Sequence, residues 1–324
     1  MTHRILVTGV GAIIGYGIIN SLRQTDLPLR IYGTDIFPDA YGGSLADHFI
    51  PGVKAYSEDY LSFIESTVKE HAIDLIIPGI EQDLYSLAEK KARIPTRIVL
   101  NNELCLRLSK NKLHTYEHFR ALDQPFVIPT LHDRSYDECV AELGSPFILK
   151  PYSSYASKGL EIIRSREDFE FFSARQERQC VYQRLVGSDD SEYTVGVFGD
   201  GAGGYLDSLI LRRTLSKEGA TSKAWLVPAD PAITECVNVI CQLLAPIGPT
   251  NIQLRKEGEK VFLLEINPRI SSSCSIRSAM GYNEPELCVR HYLLGEAIVP
   301  APKRPASVVR YIADHVSFTS PGAR

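Results

Sequence analysis

The sequence predicts an α/β fold that continues into an α+β fold: a Rossmann-like parallel sheet at the N-terminus, then at least one further domain. Three observations carry this. Strand-like and helical segments alternate from residue 4 to residue 100. The alternation then gives way to two strand-like runs, 193–198 and 205–212, either side of the turn formed by Asp200, Gly201, Ala202, Gly203 and Gly204. A second hairpin, 251–255 and 260–266, follows around Glu257 and Gly258. Short strand–helix–strand connections favour parallel, doubly wound sheets, whereas Gly-rich turns between alternating runs favour antiparallel pairing.

The elements follow in order. Residues 4–8 are apolar and β-branched, and run through Gly9, Gly11 and Gly15 into a helical stretch, 16–24. Residues 29–34 read as a strand ending at Asp35, 60–71 as a helix, 74–78 as a strand, 81–92 as a helix and 97–100 as a strand. Each helix keeps apolar residues at the helical period. Helix 112–122 is stopped by Asp123, Gln124 and Pro125. Helix 136–143, strand 147–150, a serine-rich loop 152–158 closed by Gly159, strand 160–163, helix 167–175 and strand 180–185 come next, and helix 232–244 lies between the two hairpins.

Composition narrows the function. The 324 residues are 44% hydrophobic and 23% charged with a net charge of -4, which is ordinary for a globular protein and offers no basic stripe for nucleic acid. No apolar run reaches the roughly 18 residues of a membrane span. Residues 1–8 read as a first core strand rather than a leader. The seven cysteines form no Cys-x-x-Cys pair, and Cys236 and Cys241 sit in an apolar helical stretch. A reduced, cytoplasmic protein without disulfides or structural zinc is expected.

Gly9, Gly11 and Gly15 admit two readings. Glycines between a first strand and a helix let a phosphate approach the helix N-terminus, and Asp35 suits a ribose hydroxyl. That would suit an NAD(P)-dependent oxidoreductase or an epimerase. The third glycine is one residue late for the dinucleotide fingerprint, and no Tyr-x-x-x-Lys pair occurs in the chain. The other reading is a tight strand-to-helix turn that binds no dinucleotide.

The segment 261–269 carries the chemistry. Four apolar residues precede Glu265 and Asn267, which project from one strand face about 7 Å apart and end at Pro268. A carboxylate and an amide oxygen so placed can share hard cations, and Gln253 on the partner strand adds another oxygen. Arg269 lies just beyond, where its planar fork suits a phosphate.

This pattern resembles the metal-binding end of the ATP-grasp superfamily, in particular the synthetase halves of the carbamoyl phosphate synthase large subunit and related carboxylate–amine ligases. The resemblance implies that Gln253, Glu265 and Asn267 hold magnesium and that Arg269 meets the transferring phosphoryl group. Further stations resemble the family in its own order. Lys112, opening a helix after Asn111, matches a phosphate contact, as does Lys150 at the end of its strand. Residues 153–159, including Ser157, Lys158 and Gly159, occupy the place of the lid loop. Gln183, Arg184 and Leu185 match the hinge against the adenine, and Glu192 matches the acid that takes the ribose hydroxyls. The loop departs from the family in carrying serines where glycines are usual, and the hinge in carrying Gln183 where many members have Glu.

The resemblance implies ATP and Mg2+ as cofactors, with two ions expected and Mn2+ as a substitute. It implies a small carboxylate and an amine as substrates, with Arg269, Lys150 and Arg213 catalytic and a homodimer allowed. Expected domains are 1–108 (Rossmann-like), 109–184 (small lobe with lid) and 185–316 (large lobe with the metal site), with 317–324 a frayed tail. On the acceptor side, Arg212, Arg213 and residues 219–223 suit a substrate carboxylate or an exposed basic turn. Ser271, Ser272, Ser273 and Cys274 follow Arg269 directly and suit the substrate or acyl intermediate. Glu81 and Asp83 suit an ammonium group across a domain cleft, or capping of their own helix, the reading preferred here. His114 and His118 share a helix face without a further ligand. The alternatives are a phosphorylating synthetase of the carbamoyl phosphate synthase kind, a nucleotide-binding regulator without turnover, and the oxidoreductase or epimerase above.

Overall fold

The computed structural model describes residues 2–153, 159–175, 179–216 and 219–316. Among them three sheets form. The first is parallel throughout, in the order β3-β2-β1-β4-β5, with β1 at His3–Thr8, β2 at Leu29–Asp35, β3 at His48–Pro51, β4 at Leu75–Ile77 and β5 at Arg97–Ile98. Helix α1 (Ile13–Leu22) follows β1, α2 (Tyr60–His71) precedes β4, and α3 (Glu81–Lys90) follows it. Ile5, Val7, Ile31, Leu75 and Ile77 fill one side of the sheet and Leu6, Tyr32 and Ile76 the other, as expected for strands covered on both faces. The order reverses between β1 and β4, and a doubly wound sheet opens its crevice at such a reversal. The turn after β1 faces that crevice. At Gly15 a Cβ would lie 2.2 Å from the Gly9 carbonyl oxygen, so only glycine lets α1 start this close to the strand.

Helices α4 (Glu103–Ser109) and α5 (Lys112–Ala121) lead to the second sheet. Cys105, Leu108, Phe119 and Phe126 pack into the core of the third sheet. Residues 109–126, expected in the small lobe, therefore contribute to the large one. The small lobe is a four-stranded antiparallel sheet ordered β6-β9-β7-β8, with β6 at Thr130–Leu131, β7 at Phe147–Pro151, β8 at Glu161–Ile163 and β9 at Cys180–Arg184. Helices α6 (Tyr136–Leu143) and α7 (Arg166–Arg175) belong to it. The alternation of β7 sends Phe147 and Leu149 into the core with α6, and Ile148 and Lys150 to the other face.

The third sheet is antiparallel, ordered β14-β13-β10-β11-β12-β15. Its strands are β10 at Glu192–Asp200, β11 at Tyr205–Leu215, β12 at Thr221–Leu226, β13 at Ile247–Glu257, β14 at Lys260–Asn267 and β15 at Ser307–Val309. Helix α8 (Pro231–Leu244), N-capped by Asp230, buries Ile233, Val237, Ile240 and Leu244 against one face. Cys236 and Cys241 are core residues of this helix. Helices α9 (Cys274–Ala279) and α10 (Glu284–Cys288) lie between the opposite face and α1. Residues 221–223, for which the sequence left a substrate-carboxylate site or an exposed basic turn, form the start of β12, and Arg212 stacks on Trp225 across that pair.

Candidate functional site

The site lies between the small sheet and the β13–β14 hairpin. Asn111 caps α5 by accepting from the Leu113 N–H at 2.9 Å, which fixes Lys112 as its first residue. The Lys112 N–H donates to the Tyr152 carbonyl at 2.9 Å, tying this helix to the end of β7. Lys112 and Lys150 thus reach one pocket with Tyr116, Gln183, Leu264 and Glu265. Lys112 Nζ stands 3.6 Å from Glu265 Oε1.

Lys150 is buried and donates to Gln183 Oε1 at 2.7 Å, while Gln183 Nε2 donates to Thr130 Oγ1 at 2.8 Å. The chain of bonds fixes which way the amide points. Burial, reinforced by the Lys112 charge, brings the Lys150 pKa down to about 8 even though Glu265 opposes the change. An ammonium whose proton is loosened by burial and by a second lysine gains from an anion placed between the two. Of the expected hinge, the Arg184 N–H is used by the Pro129 carbonyl at 3.0 Å and its guanidinium pairs with Glu257. Leu185 follows directly. Gly159 takes a left-handed φ of 75°, whereas the lid residues Ser157 and Lys158 lie outside the described residues, as does the tail 317–324.

Strand β14, expected to bear metal ligands, has the expected face and an unexpected irregularity. Gln253 pairs with Glu265 and Asn251 with Asn267, so all four share one face. The next pair is Leu254 with Leu263, which leaves Leu264 as a bulge. The bulge places both Leu263 and Ile266 in the α8 core while Glu265 and Asn267 face the cleft. Among the described residues no three of His, Cys, Asp and Glu form a metal cluster. A cation here therefore needs amide oxygens beside Glu265. Asn267 Oδ1 and Gln253 Oε1 fit that need, although each already accepts from a guanidinium: Arg269 Nη2 at 3.1 Å and Arg213 Nη2 at 2.9 Å. Two buried donors, Asn267 Nδ2 and Arg269 Nε, have no partner among the described residues. Orphaned donors beside hard oxygens suit a phosphate held through a cation.

Glu192 and Arg213 occupy other roles than the sequence suggests. Glu192 is 5% exposed. Its Oε1 accepts from Arg213 Nε and Nη2 at 3.1 and 2.9 Å, and its Oε2 from Arg255 Nη2 at 2.8 Å. With both oxygens committed to guanidinium groups, the geometry makes Glu192 the clamp on two arginines rather than a ribose ligand. Arg213 also donates to Thr221 Oγ1 at 3.2 Å. It is a positioning residue between Glu192 and Gln253, and is buried rather than open to a substrate carboxylate.

Sequence reasoning missed three participants. Arg255 completes the clamp on Glu192. Arg310 donates to the Thr221 carbonyl at 3.1 Å and to the Ser272 carbonyl, and lies near Tyr16 of α1. It is a half-buried cation beside the Ser271–Ser273 turn, where Ser273 bonds Thr221 at 3.0 Å. Arg277 is fully buried and joins Asn251 at 2.6 Å, Thr194 at 2.9 Å and Glu284 at 3.2 Å. None of these carries a local sequence pattern, because their partners lie on elements distant in sequence or packed only in the fold.

Glu81 does not cap its helix with its side chain. It crosses the cleft to Arg269 Nη2 at 2.5 Å, so the preferred reading of Glu81 is overturned. The Gly11 N–H donates to Asp35 Oδ2 at 2.8 Å, which ties the glycine turn to the end of β2. Cys274 is buried and its thiol pKa is pushed up to about 12 by burial, which disfavours a nucleophile. A cavity of about 580 Å³ lies elsewhere, beneath residues 296–304, and is lined by Arg304 and by charged groups that are paired: Arg290 with Glu286 and Glu296, and Asp207 with Lys303.

Residues 181–315 match the profile of a family described as "ATP-grasp in the biosynthetic pathway with Ter operon". No curated protein matches. The fold is similar to N5-carboxyaminoimidazole synthetase from Staphylococcus aureus in complex with ADP, with a TM-score of 0.74 and 18% identity over 96% of this chain and 82% of that one. It is similar to N5-carboxyaminoimidazole ribonucleotide synthetase from Thermus thermophilus, with a TM-score of 0.70 and 19% identity over 94% and 82%. It is also similar to biotin carboxylase from Campylobacter jejuni, with a TM-score of 0.69 and 15% identity over 89% and 70%. The N-terminal parallel sheet followed by two antiparallel sheets is thus a fold shared with these structures, and the profile described as ATP-grasp covers its C-terminal part.

Proposed function

We propose that this chain, built on an ATP-grasp fold, is a ligase that uses ATP and magnesium to phosphorylate a carboxylate and passes the acyl group to an amine, releasing ADP and phosphate. One observation carries the reading: Lys112, Lys150, Glu265 and Gln183 line a single pocket, next to the buried, unpartnered donors of Asn267 and Arg269. The structures it resembles include complexes with ADP and, in a biotin carboxylase domain, with MgADP.

In this reading Lys112 and Lys150 neutralise the ATP phosphates, and Arg269 binds the transferring phosphoryl oxygens. Magnesium, held by Glu265 and Asn267, would supply charge neutralisation between the β- and γ-phosphates. Gln253, whose oxygen accepts from Arg213, would hold a second ion through its other lone pair, with magnesium or manganese as candidates. The carboxylate oxygen attacks the γ-phosphorus and the bond to ADP breaks. The amine, once it has given up its ammonium proton, then attacks the acyl carbon; a C–N bond forms, the C–O bond to phosphate breaks, and phosphate leaves with the proton the nitrogen sheds. Arg310 and Ser272, both partly exposed, suit an anionic group of the substrate, while the hydroxyls of Ser271 and Ser273 are buried and bonded within the protein.

The test is product analysis. Purified protein receives Mg-ATP with pooled carboxylic acids, amino acids and amines, and ADP, AMP and phosphate are quantified. ADP and phosphate that depend on the pool and vanish in Glu265→Gln support the reading. AMP in place of ADP overturns it.

A further inference from the structure

The ion pair between Glu81 and Arg269 joins residues 188 positions apart, from α3 of the parallel sheet domain and from the end of β14. The same Arg269 Nη2 that lies 2.5 Å from Glu81 Oε1 also lies 3.1 Å from Asn267 Oδ1. One nitrogen therefore holds the arginine against the N-terminal domain and occupies one of the two lone pairs of the amide oxygen that a cation would need. The side chains of Arg269 and Glu81 are 13% and 25% exposed, so the pair is partly shielded and remains open to a competing cation from the cleft. Tyr85, one turn along α3 from Glu81, bonds Ser109 at 3.1 Å and sits in the field of Arg269 and Glu265. Helix α3 thus reaches the end of β14 through Glu81 and touches α4 through Tyr85.

We propose that this contact is a brake released by the amine substrate. It rests on the ligase reading above. An ammonium group entering the cleft takes the Glu81 carboxylate, and Arg269 is released from it. The occupied lone pair of Asn267 Oδ1 is then freed, and the guanidinium is free to meet phosphate. The brake couples nucleotide engagement to the presence of the amine and limits unproductive ATP hydrolysis. It predicts an amine that arrives protonated, since a neutral group has no reason to displace a guanidinium from a carboxylate. No bond is made or broken in this exchange of partners.

Mg-ATP affinity, measured by calorimetry, tests it. Methylammonium chloride serves as the cation probe, with NaCl at equal ionic strength as its control. Wild type should bind Mg-ATP more tightly with methylammonium than with NaCl. Glu81→Gln should bind about five-fold more tightly than wild type or better, and lose the methylammonium effect. Glu81→Ala should do the same and guards against a glutamine that still holds Arg269. Removing a negative charge also favours phosphate through space, so the variants are repeated with Arg269→Met. If Glu81 acts through Arg269, Glu81→Gln changes nothing in that background. An equal gain in both backgrounds, or equal affinities for wild type and Glu81→Gln, overturns the brake while leaving the ligase reading intact. Failure of wild type and all variants to bind Mg-ATP overturns the nucleotide reading, and the brake with it.

Discussion

Lys150 Nζ donates to Gln183 Oε1 at 2.7 Å, a buried ammonium facing an uncharged amide. A carboxylate in place of that amide would hold the lysine proton. The amide does so weakly, and burial brings the Lys150 pKa from 10.5 to about 8. Phosphate binding favours the charged form. Below pH 8 the lysine is already charged, so ATP affinity should be level with pH. Above pH 8 binding must take up a proton, and affinity should fall up to about tenfold per pH unit. Calorimetry in buffers of different ionisation enthalpy at pH 8.5 should show that uptake, and Lys150→Met should abolish it.

Gln183→Glu should move that inflection upward, because the new carboxylate stabilises the Lys150 charge. The same change puts a negative charge beside the phosphates, so ATP affinity at pH 7 should fall. Repeating the pH series on the variant checks both directions. An unchanged inflection would mean that Gln183 does not set the lysine's environment.

Lys150 also leaves a mark on stability, with the opposite sign from a paired lysine. Its folded pKa lies below its unfolded value, so from pH 8 to 10.5 the unfolded chain binds more protons than the folded one. Folding stability from this group should therefore rise with pH across that window, by up to about 3 kcal/mol. Urea titrations of wild type against Lys150→Met at pH 7.5 and pH 10 isolate the contribution.

Glu192→Ala should cost about 3–5 kcal/mol, because it leaves the buried Arg213 charge without its carboxylate. The side chains of Glu192 and Arg213 are 6% and 5% exposed, so water cannot take over. A ribose ligand at the cleft edge would instead raise the KM for ATP with little change in stability. Chemical denaturation and ATP titration of the same variant separate the two roles.

The parts of the site that follow from local pattern were legible in the sequence. Period-two alternation along β14 puts Glu265 and Asn267 on one face, and the hairpin turn brings Gln253 opposite. The cap at Asn111 announces the helix that carries Lys112. The bulge at Leu264 was not legible, since four consecutive apolar residues read as a strand buried on both faces. Nor were the partners of Glu81, Glu192 and Arg277, because each pairing depends on where distant elements dock. A charged residue at a strand or helix start carries no local mark of whether it meets water, ligand or another side chain. The short strands β3, β6 and β15 were missed for a related reason: each has too few residues for a periodic pattern and is completed by pairing with a neighbour.

Gly196→Ala tests whether Arg277 anchors the face that carries β14. Gly196 lies on β10 opposite Asn251 of β13, which in turn pairs with Asn267. An added Cβ would stand 2.6 Å from Arg277 Nη1, 2.8 Å from its Cζ and 2.9 Å from Tyr282 Cε1. The guanidinium has nowhere to retreat, being 0% exposed and bonded to Ser271, Thr194, Asn251 and Glu284. Either the strand or the arginine must shift, at a cost of about 1–3 kcal/mol. The shift should pass through Asn251 to Asn267 and raise the magnesium concentration needed for half-maximal ATP binding. Thermal melting and a magnesium titration read the two effects separately. Loss of stability with an unchanged magnesium requirement would confine Arg277 to packing. An unchanged melting temperature would mean that the buried guanidinium moves freely and anchors nothing.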